Sequence, residues 1–148
     1  MSNTRKLAPR SEPIQKRALA RRANILQVTA LALEEVGQDD LTTILVAKRA
    51  GVSVGTLYHY FPNKYAILHA LGEQWIGEIE AALDALEAFN IESLSLKRFV
   101  EKCVDRNLEA YTTQRGLLPL VQAMYGVPEL KDLNETYNEL IISAMARM

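Results

Sequence analysis

Apolar residues recur every three or four positions along most of the chain, and no segment alternates apolar and polar residues as a strand would. Residues that cap or end helices separate these segments, among them Gly37, Gly51, Ser53 and Pro62. The pattern predicts an all-α fold. The predicted helices cover about residues 17–36, 43–50, 54–61, 64–88, 96–111 and 117–125, and a last one follows Pro128.

Composition excludes several classes of protein. The 148 residues, 49% of them hydrophobic, suffice for the core of one or two small domains. The single cysteine, Cys103, rules out a disulfide scaffold, and no apolar run is long enough for a membrane span or a secretory signal. His59 and His69 lack the spacing of metal ligands, so we expect no metal and no cofactor. These features favour a cytoplasmic protein without a membrane contact.

Charge is distributed unevenly between the two halves of the chain. Residues 1–70 contain ten basic and five acidic residues, a net charge of +5, whereas residues 71–148 contain seven basic and thirteen acidic ones, a net charge of −6. A basic half beside an acidic half is expected when one part binds a polyanion and the other does not. An uneven scatter of solvated surface charge accounts for the same numbers equally well.

The chain divides into three predicted parts. Residues 1–15 hold two prolines, the basic residues Arg5, Lys6 and Arg10 and little apolar content, which predicts a flexible basic arm. Residues 16–63 contain the first three predicted helices, and residues 64–148 contain the longer helices that follow.

The second and third helices have the form of a helix-turn-helix. The residues between them are Ala50 to Ser53, and Gly51 stands where a tight turn requires positive φ. In such a motif the third helix enters the major groove of DNA, so its apolar residues face inward and its other face points outward. Leu57 and Phe61 have the spacing to pack inward on Val46, Ala47 and Ala50. The outward face then consists of Val54, Gly55, Tyr58 and His59.

The segment from Thr42 to Lys64, TTILVAKRAGVSVGTLYHYFPNK, resembles the DNA-binding domain of the TetR family of bacterial transcriptional regulators. The short patterns AGVS, GTLY, YF and NK occur in order and without gaps, which makes the resemblance specific. It implies a homodimer with a three-helix, homeodomain-like helix-turn-helix domain at residues 16–63. It also implies a helical effector-binding and dimerisation domain from residue 64, which is expected to be incomplete because the family has about two further long helices.

The resemblance assigns roles to individual residues of this sequence. It implies phosphate contacts at Thr42, Tyr60 and Lys64, with Thr43, Ser53 and Thr56 as further candidates, and base contacts at Val54, Gly55, Tyr58 and His59. Hydroxyl groups and a lysine suit phosphate oxygens, whereas Val54 and the Tyr58 ring suit thymine methyl groups. Arg21 and Arg22 on the first helix are placed to reach the flanking DNA backbone or minor groove.

The effector site is predicted less directly. The candidates to line a cavity between the fourth, fifth and sixth helices are Trp75, Phe99, Cys103, Tyr111, Met124 and Tyr125, although the same spacing describes an ordinary core. The expected function is a repressor that binds operator DNA and is released by a small apolar or aromatic effector. The alternative is a helical interaction or ligand-sequestering module that does not bind DNA.

Two further expectations concern catalysis and pairing. The sequence contains no nucleophile–base–acid set, no phosphate-binding loop and no pair of spaced carboxylates, so we expect no enzyme. If the usual dimer helices are missing, the last helix is a candidate to pair with its own copy. Its apolar stripe consists of Tyr137, Leu140, Ile141, Ala144 and Met148.

Overall fold

A computed structural model describes residues 11–87 and 95–147 of the chain. Within these residues the protein is all-α, as predicted, with seven α-helices and one short 3₁₀ turn. The α-helices are α1 (Ser11–Asp40), α2 (Thr43–Ala50), α3 (Val54–Tyr60), α4 (Lys64–Glu87), α5 (Leu96–Thr113), α6 (Leu117–Gly126) and α7 (Lys131–Arg147), and the 3₁₀ turn covers Pro128–Leu130. None of the helices in the described part is long and apolar enough to cross a membrane.

Helix α1 begins earlier than the sequence pattern predicts. The predicted start near residue 17 was wrong, because α1 begins at Ser11. The flexible arm predicted for residues 1–15 stays a prediction. Pro13 permits the earlier start because it lies in the first turn, where backbone N–H groups have no partner within the helix. The predicted end of the first helix, at residue 36, agrees better with the structure. Although α1 extends to Asp40, the residue after this predicted end, Gly37, has non-helical backbone angles, with φ of 73° and ψ of 173°. Residues 1–10 of the predicted arm lie outside the described residues.

The first three helices pack around a small apolar core. The predicted inward residues Leu57 and Phe61 are buried, and so are Val46 and Ala47 of α2. Burying one such large apolar side chain stabilises the fold by about 1.5–3 kcal/mol. The predicted orientation of α3 is therefore confirmed: its apolar side packs on α2 and faces the buried core.

Helices α4, α6 and α7 form the core of the second half. Trp75 of α4 stacks on Tyr137 of α7, with ring centroids 5.2 Å apart and planes 25° apart. His69 of α4 and Asp132 of α7 are joined by a hydrogen bond of 2.7 Å between Nε2 and Oδ2, and this bond lowers the pKa of Asp132. The buried residues of both halves belong to one continuous core cluster, so α4 joins the two halves by packing as well as by chain connection.

The start of α6 is pressed against the middle of α1. Gly116 caps α6 with φ of 76°, and a Cβ atom at this position would collide with the backbone carbonyl of Ala30. Next to this contact, Arg115 forms an ion pair with Glu34 of α1. The second half of the protein therefore touches the first half at α1 as well as through α4.

We expect Gly116→Ala to destabilise the protein by about 2–4 kcal/mol, because it combines an unfavourable positive φ with overpacking against an immobile backbone. Urea unfolding measures the effect. Gly77→Ala is the matched control: Gly77 lies in the interior of α4 with open space around its Cα, so the alanine should stabilise the protein by up to about 1 kcal/mol. Equal stability of the two variants would contradict the close approach of α6 to α1.

Candidate nucleic-acid interface

Two hydroxyl side chains fix the starts of α2 and α3. The Thr42 Oγ1 atom accepts a hydrogen bond of 3.1 Å from the Leu45 amide, and the Ser53 Oγ atom accepts one of 3.0 Å from the Thr56 amide. The Ser53 hydroxyl also donates to Thr56 Oγ1 at 2.9 Å. Helix α2 ends at Gly51, whose φ of 67° turns the chain toward Ser53. The predicted turn between the two helices is therefore present, and it is defined by caps that the sequence encodes locally.

The outward side of α3 is open to solvent. Gly55 and His59 are exposed, Tyr58 keeps 49% of its surface exposed, and Val54 and Tyr60 are half-buried. The Tyr58 hydroxyl lies 3.0 Å from Thr43 Oγ1, which holds the ring beside the start of α2. All four predicted base-contact residues thus lie on a short helix whose other side is buried.

Lys64 has a partner within the chain. Its Nζ atom donates a hydrogen bond of 2.9 Å to the Gln38 carbonyl near the end of α1, and it lies 5.5 Å from the centre of the Tyr65 ring. A lysine at the start of a helix opposes the helix dipole, and this carbonyl partly offsets that cost. The ammonium group has three donors, so a phosphate contact is compatible with this bond.

The arginines of the first half have contacts that sequence reasoning missed. The Arg22 guanidinium lies over the Phe61 ring, 5.3 Å from its centre, while Arg21 is exposed on α1. Arg49 of α2 pairs with Glu35 of α1 at 2.5 Å, and this hydrogen bond lowers the pKa of Glu35. Neither pair is readable from sequence spacing, because each joins residues that are far apart along the chain.

A cleft of about 590 Å³ lies between α4, α5 and α7. It brings together three of the predicted effector residues, Trp75, Phe99 and Cys103. The structure places two others elsewhere: Met124 is buried in the core, because its side of α6 packs inward, and Tyr125 beside it is 64% exposed. The side chain of Tyr111 lies outside the described part of the structure.

Helix α7 contributes to this cleft in a way that was not predicted. Tyr137, Ile141 and Ala144 line it, and Arg106 of α5 and Glu78 of α4 add charged groups. Glu78 accepts hydrogen bonds from Gln74 and Gln114, at 3.2 and 3.0 Å. A second, open cleft of about 650 Å³ between α1, α4 and α6 shares Trp75 and Glu78 with the first.

This arrangement defines a class: a helix-turn-helix protein whose exposed short helix is carried by a helical body with an apolar cleft. The family model described as bacterial regulatory proteins, tetR family, matches residues 25–71. The helix-turn-helix of this chain is therefore similar to the N-terminal domain of that family. The proteins to which it is similar are transcriptional regulators, a non-enzymatic family.

Curated relatives extend the similarity beyond the first domain. The chain is 27% identical over 127 residues to the HTH-type transcriptional regulator BetI 1 of Chromohalobacter salexigens, covering 83% of this chain and 62% of that protein. It is 28% identical over 125 residues to the regulator BetI of Stenotrophomonas maltophilia, covering 83% of this chain and 64% of that protein. The chain therefore spans less than two thirds of the length of these relatives.

Solved structures share the fold. A putative TetR-family transcriptional regulator from Mesorhizobium loti has a TM-score of 0.67 at 19% identity, over 88% of this chain and 67% of that one. The fatty acid degradation regulator FadR from Bacillus halodurans has a TM-score of 0.60 at 22% identity, over 82% and 60% of the two chains. At these identities the likeness concerns the fold alone.

The cap of α3 provides a test of the local geometry. We expect Ser53→Ala to lower the free energy of unfolding by about 1 kcal/mol, because the Thr56 amide loses its acceptor. Ser143→Ala is the matched control, since Ser143 is exposed in the interior of α7, where alanine is the better helix former. Urea unfolding of both variants measures the difference. No loss of stability in Ser53→Ala would mean that the hydroxyl does not cap α3.

Proposed function

We propose that the protein is a DNA-binding transcriptional regulator that reads its operator with α3 and binds as a homodimer. The observation that carries this proposal is the exposed side of α3, whose opposite side is anchored by buried Leu57 and Phe61. A helix held in this way can enter a major groove without rearrangement of its supports. The curated relatives, both named as HTH-type transcriptional regulators, support the same function.

In the proposed complex, base contacts and phosphate contacts come from different groups. Val54, Gly55, Tyr58 and His59 face the base edges, where apolar atoms contact thymine methyl groups. The phosphate contacts come from groups around them, namely Thr42, Thr43, Ser53, Thr56, Tyr60 and Lys64, with Arg21 and Arg22 on the flanking backbone. The net charge of +5 in residues 1–70 favours approach to a polyanion. A regulator of this kind acts in the cytoplasm, where the bacterial chromosome is found.

We expect Lys64→Ala to weaken binding to all DNA sequences and to reduce the slope of log affinity against log salt by about one, because one phosphate contact is lost. The measurement is fluorescence anisotropy of duplexes selected by the protein from fragmented genomic DNA. Lys131→Ala is the control, since Lys131 is an exposed lysine at the start of α7 and should change neither quantity.

The same assay separates base reading from phosphate binding. Tyr58→Ala should reduce the preference for the selected sequence about tenfold or more, whereas Tyr58→Phe keeps the ring and should retain most of it. Absence of DNA binding by the parent protein, or identical binding by the parent and all variants, would favour the alternative of a helical interaction or ligand-sequestering module.

We also propose that a small apolar or aromatic molecule occupies the cleft between α4, α5 and α7 and releases the protein from DNA. Support comes from the lining, which combines Trp75, Phe99 and Tyr137 with aliphatic side chains. Helix α4 is the proposed lever because it starts at Lys64, beside the recognition helix, and its later turns line the cleft. A ligand that favours one position of α4 alters the placement of α3 with a coupling of about 1–3 kcal/mol.

Trp75 is the only tryptophan of the chain and lines the cleft, so its fluorescence reports ligand binding directly. We expect some members of a panel of small apolar aromatic compounds to quench it, and Ala82→Phe to abolish the response by filling the cleft. Ala81→Phe is the control, because Ala81 is exposed beside it and does not line the cleft.

A compound that lowers DNA affinity must itself be bound more weakly, by the same factor, when DNA is present. If the compound changes the affinity for DNA by a different factor than DNA changes the affinity for the compound, the proposed coupling through α4 is contradicted.

A further inference from the structure

Ile44 is a large apolar side chain on the surface of the helix-turn-helix. It is the second residue of α2, keeps 68% of its surface exposed and is not among the predicted DNA contacts. A single exposed apolar residue is common on a protein surface and by itself indicates no function. Ile44 differs in its position, because it follows Thr43, whose Oγ1 atom lies 3.0 Å from the Tyr58 hydroxyl. Its side chain therefore begins one residue away from the point where the outward side of α3 meets α2.

The other residues of α2 show that Ile44 is not a displaced core residue. Val46 and Ala47 are buried, and Leu45 is half-buried against the core cluster. Lys48, one turn after Ile44, is exposed as Ile44 is. The core of the helix-turn-helix is therefore complete without Ile44, which lies with Lys48 on the solvent side of α2.

Helix α3, which the structure describes along its whole length, has no side chain that can form two hydrogen bonds with one base. Its sequence, VGTLYHY, contains no arginine, lysine, asparagine or glutamine. These four residue types form the usual bidentate contacts with guanine and adenine in the major groove. The Tyr58 hydroxyl faces Thr43, so His59 is the outward residue left to form a hydrogen bond with a base. Base reading by α3 must therefore depend mainly on apolar contacts.

Apolar side chains around α3 suit one chemical group of DNA. In the major groove thymine presents a methyl group on C5, whereas cytosine has no substituent at this position. Val54 begins α3, the Tyr58 ring lies one turn later, and Ile44 lies near the start of α2. These three residues supply apolar atoms that can distinguish a thymine from a cytosine.

Charge favours DNA over an apolar partner protein at this surface. From Leu41 to Gly72 the sequence contains no aspartate or glutamate, while Lys48, Arg49 and Lys64 are basic. Arg49 pairs with Glu35 of α1, which leaves the two lysines as the positive charges of this segment that have no acidic partner in the described structure. Apolar side chains bordered by positive charge fit a polyanion that carries apolar groups of its own, and DNA with its thymine methyl groups has both features.

We propose that Ile44 is a base-reading residue and that, with Val54 and Tyr58, it recognises thymine methyl groups of the operator. This inference rests on the proposed function and deepens it, because it adds a residue of α2 to the base contacts and names the chemical group that is read. The operator is recognised chiefly through methyl groups, and His59 supplies a hydrogen bond to a base. The half-sites that the protein selects carry thymine at the contacted positions.

Deoxyuridine provides the test, because it pairs as thymidine does and lacks only the C5 methyl group. In a duplex that the protein has selected from fragmented genomic DNA, each thymidine is replaced in turn, and affinity is measured by fluorescence anisotropy. Replacement at a contacted position should weaken binding about fourfold, since one buried methyl group is lost, and replacement elsewhere should change the affinity by less than about twofold.

Ile44→Ala identifies the position that Ile44 reads. The variant should be no less stable in urea than the parent, because Ile44 is exposed and alanine is the better helix former. It should lose the response to deoxyuridine at one position of each half-site and keep the response at the others. Ile142→Ala is the matched control: Ile142 is 66% exposed on α7, and its replacement should leave the ratio of affinities for thymidine and deoxyuridine duplexes unchanged at every position.

Methylated cytosine separates reading of the methyl group from reading of the A·T pair. At the position assigned to Ile44, replacing T·A by C·G should weaken binding by the parent. Replacing that cytosine by 5-methylcytosine should recover about fourfold, because the methyl group returns while the pair remains C·G. Ile44→Ala should show no such recovery.

Failure of this inference is distinguishable from failure of the proposed function. A parent that binds its selected duplex with the Lys64-dependent salt slope, yet tolerates deoxyuridine at every position, overturns the inference and leaves the function standing. An Ile44→Ala variant with the same deoxyuridine profile as the parent removes Ile44 from the base contacts and also overturns the inference. A parent that binds no DNA overturns the function and the inference together.

Discussion

The structure depends on the burial of one side of α1 against the helices on both sides of it. Ile25, Leu26 and Leu33 are buried in the same cluster as Leu57 of α3 and Leu117 of α6. This shared core fixes the direction in which α3 points, and it also joins α3 to the helices that line the cleft. The two halves can therefore influence each other through packed side chains, without relying on the single covalent connection at α4.

The helix-turn-helix was predictable because its determinants are local. Caps at Thr42 and Ser53, the turn at Gly51 and the four-residue spacing of Leu57 and Phe61 all act within one or two turns of chain. The start of α1 was missed because the prolines and the low apolar content of residues 1–15 predicted an arm, although a proline is tolerated in the first turn of a helix. The cleft was predicted only in part: Tyr137 is 62 residues from Trp75 in sequence, and no periodicity reports that the two rings stack.

Lys64 illustrates how a residue can serve the fold and a candidate site together. Its bond to the Gln38 carbonyl ties the first residue of α4 to the end of α1, which positions α4 relative to the core. The Lys64 ammonium group has three N–H donors, so the bond to the Gln38 carbonyl leaves two of them for a phosphate. Both roles require the same placement, because the phosphate contact is useful only when the start of α4 is held still.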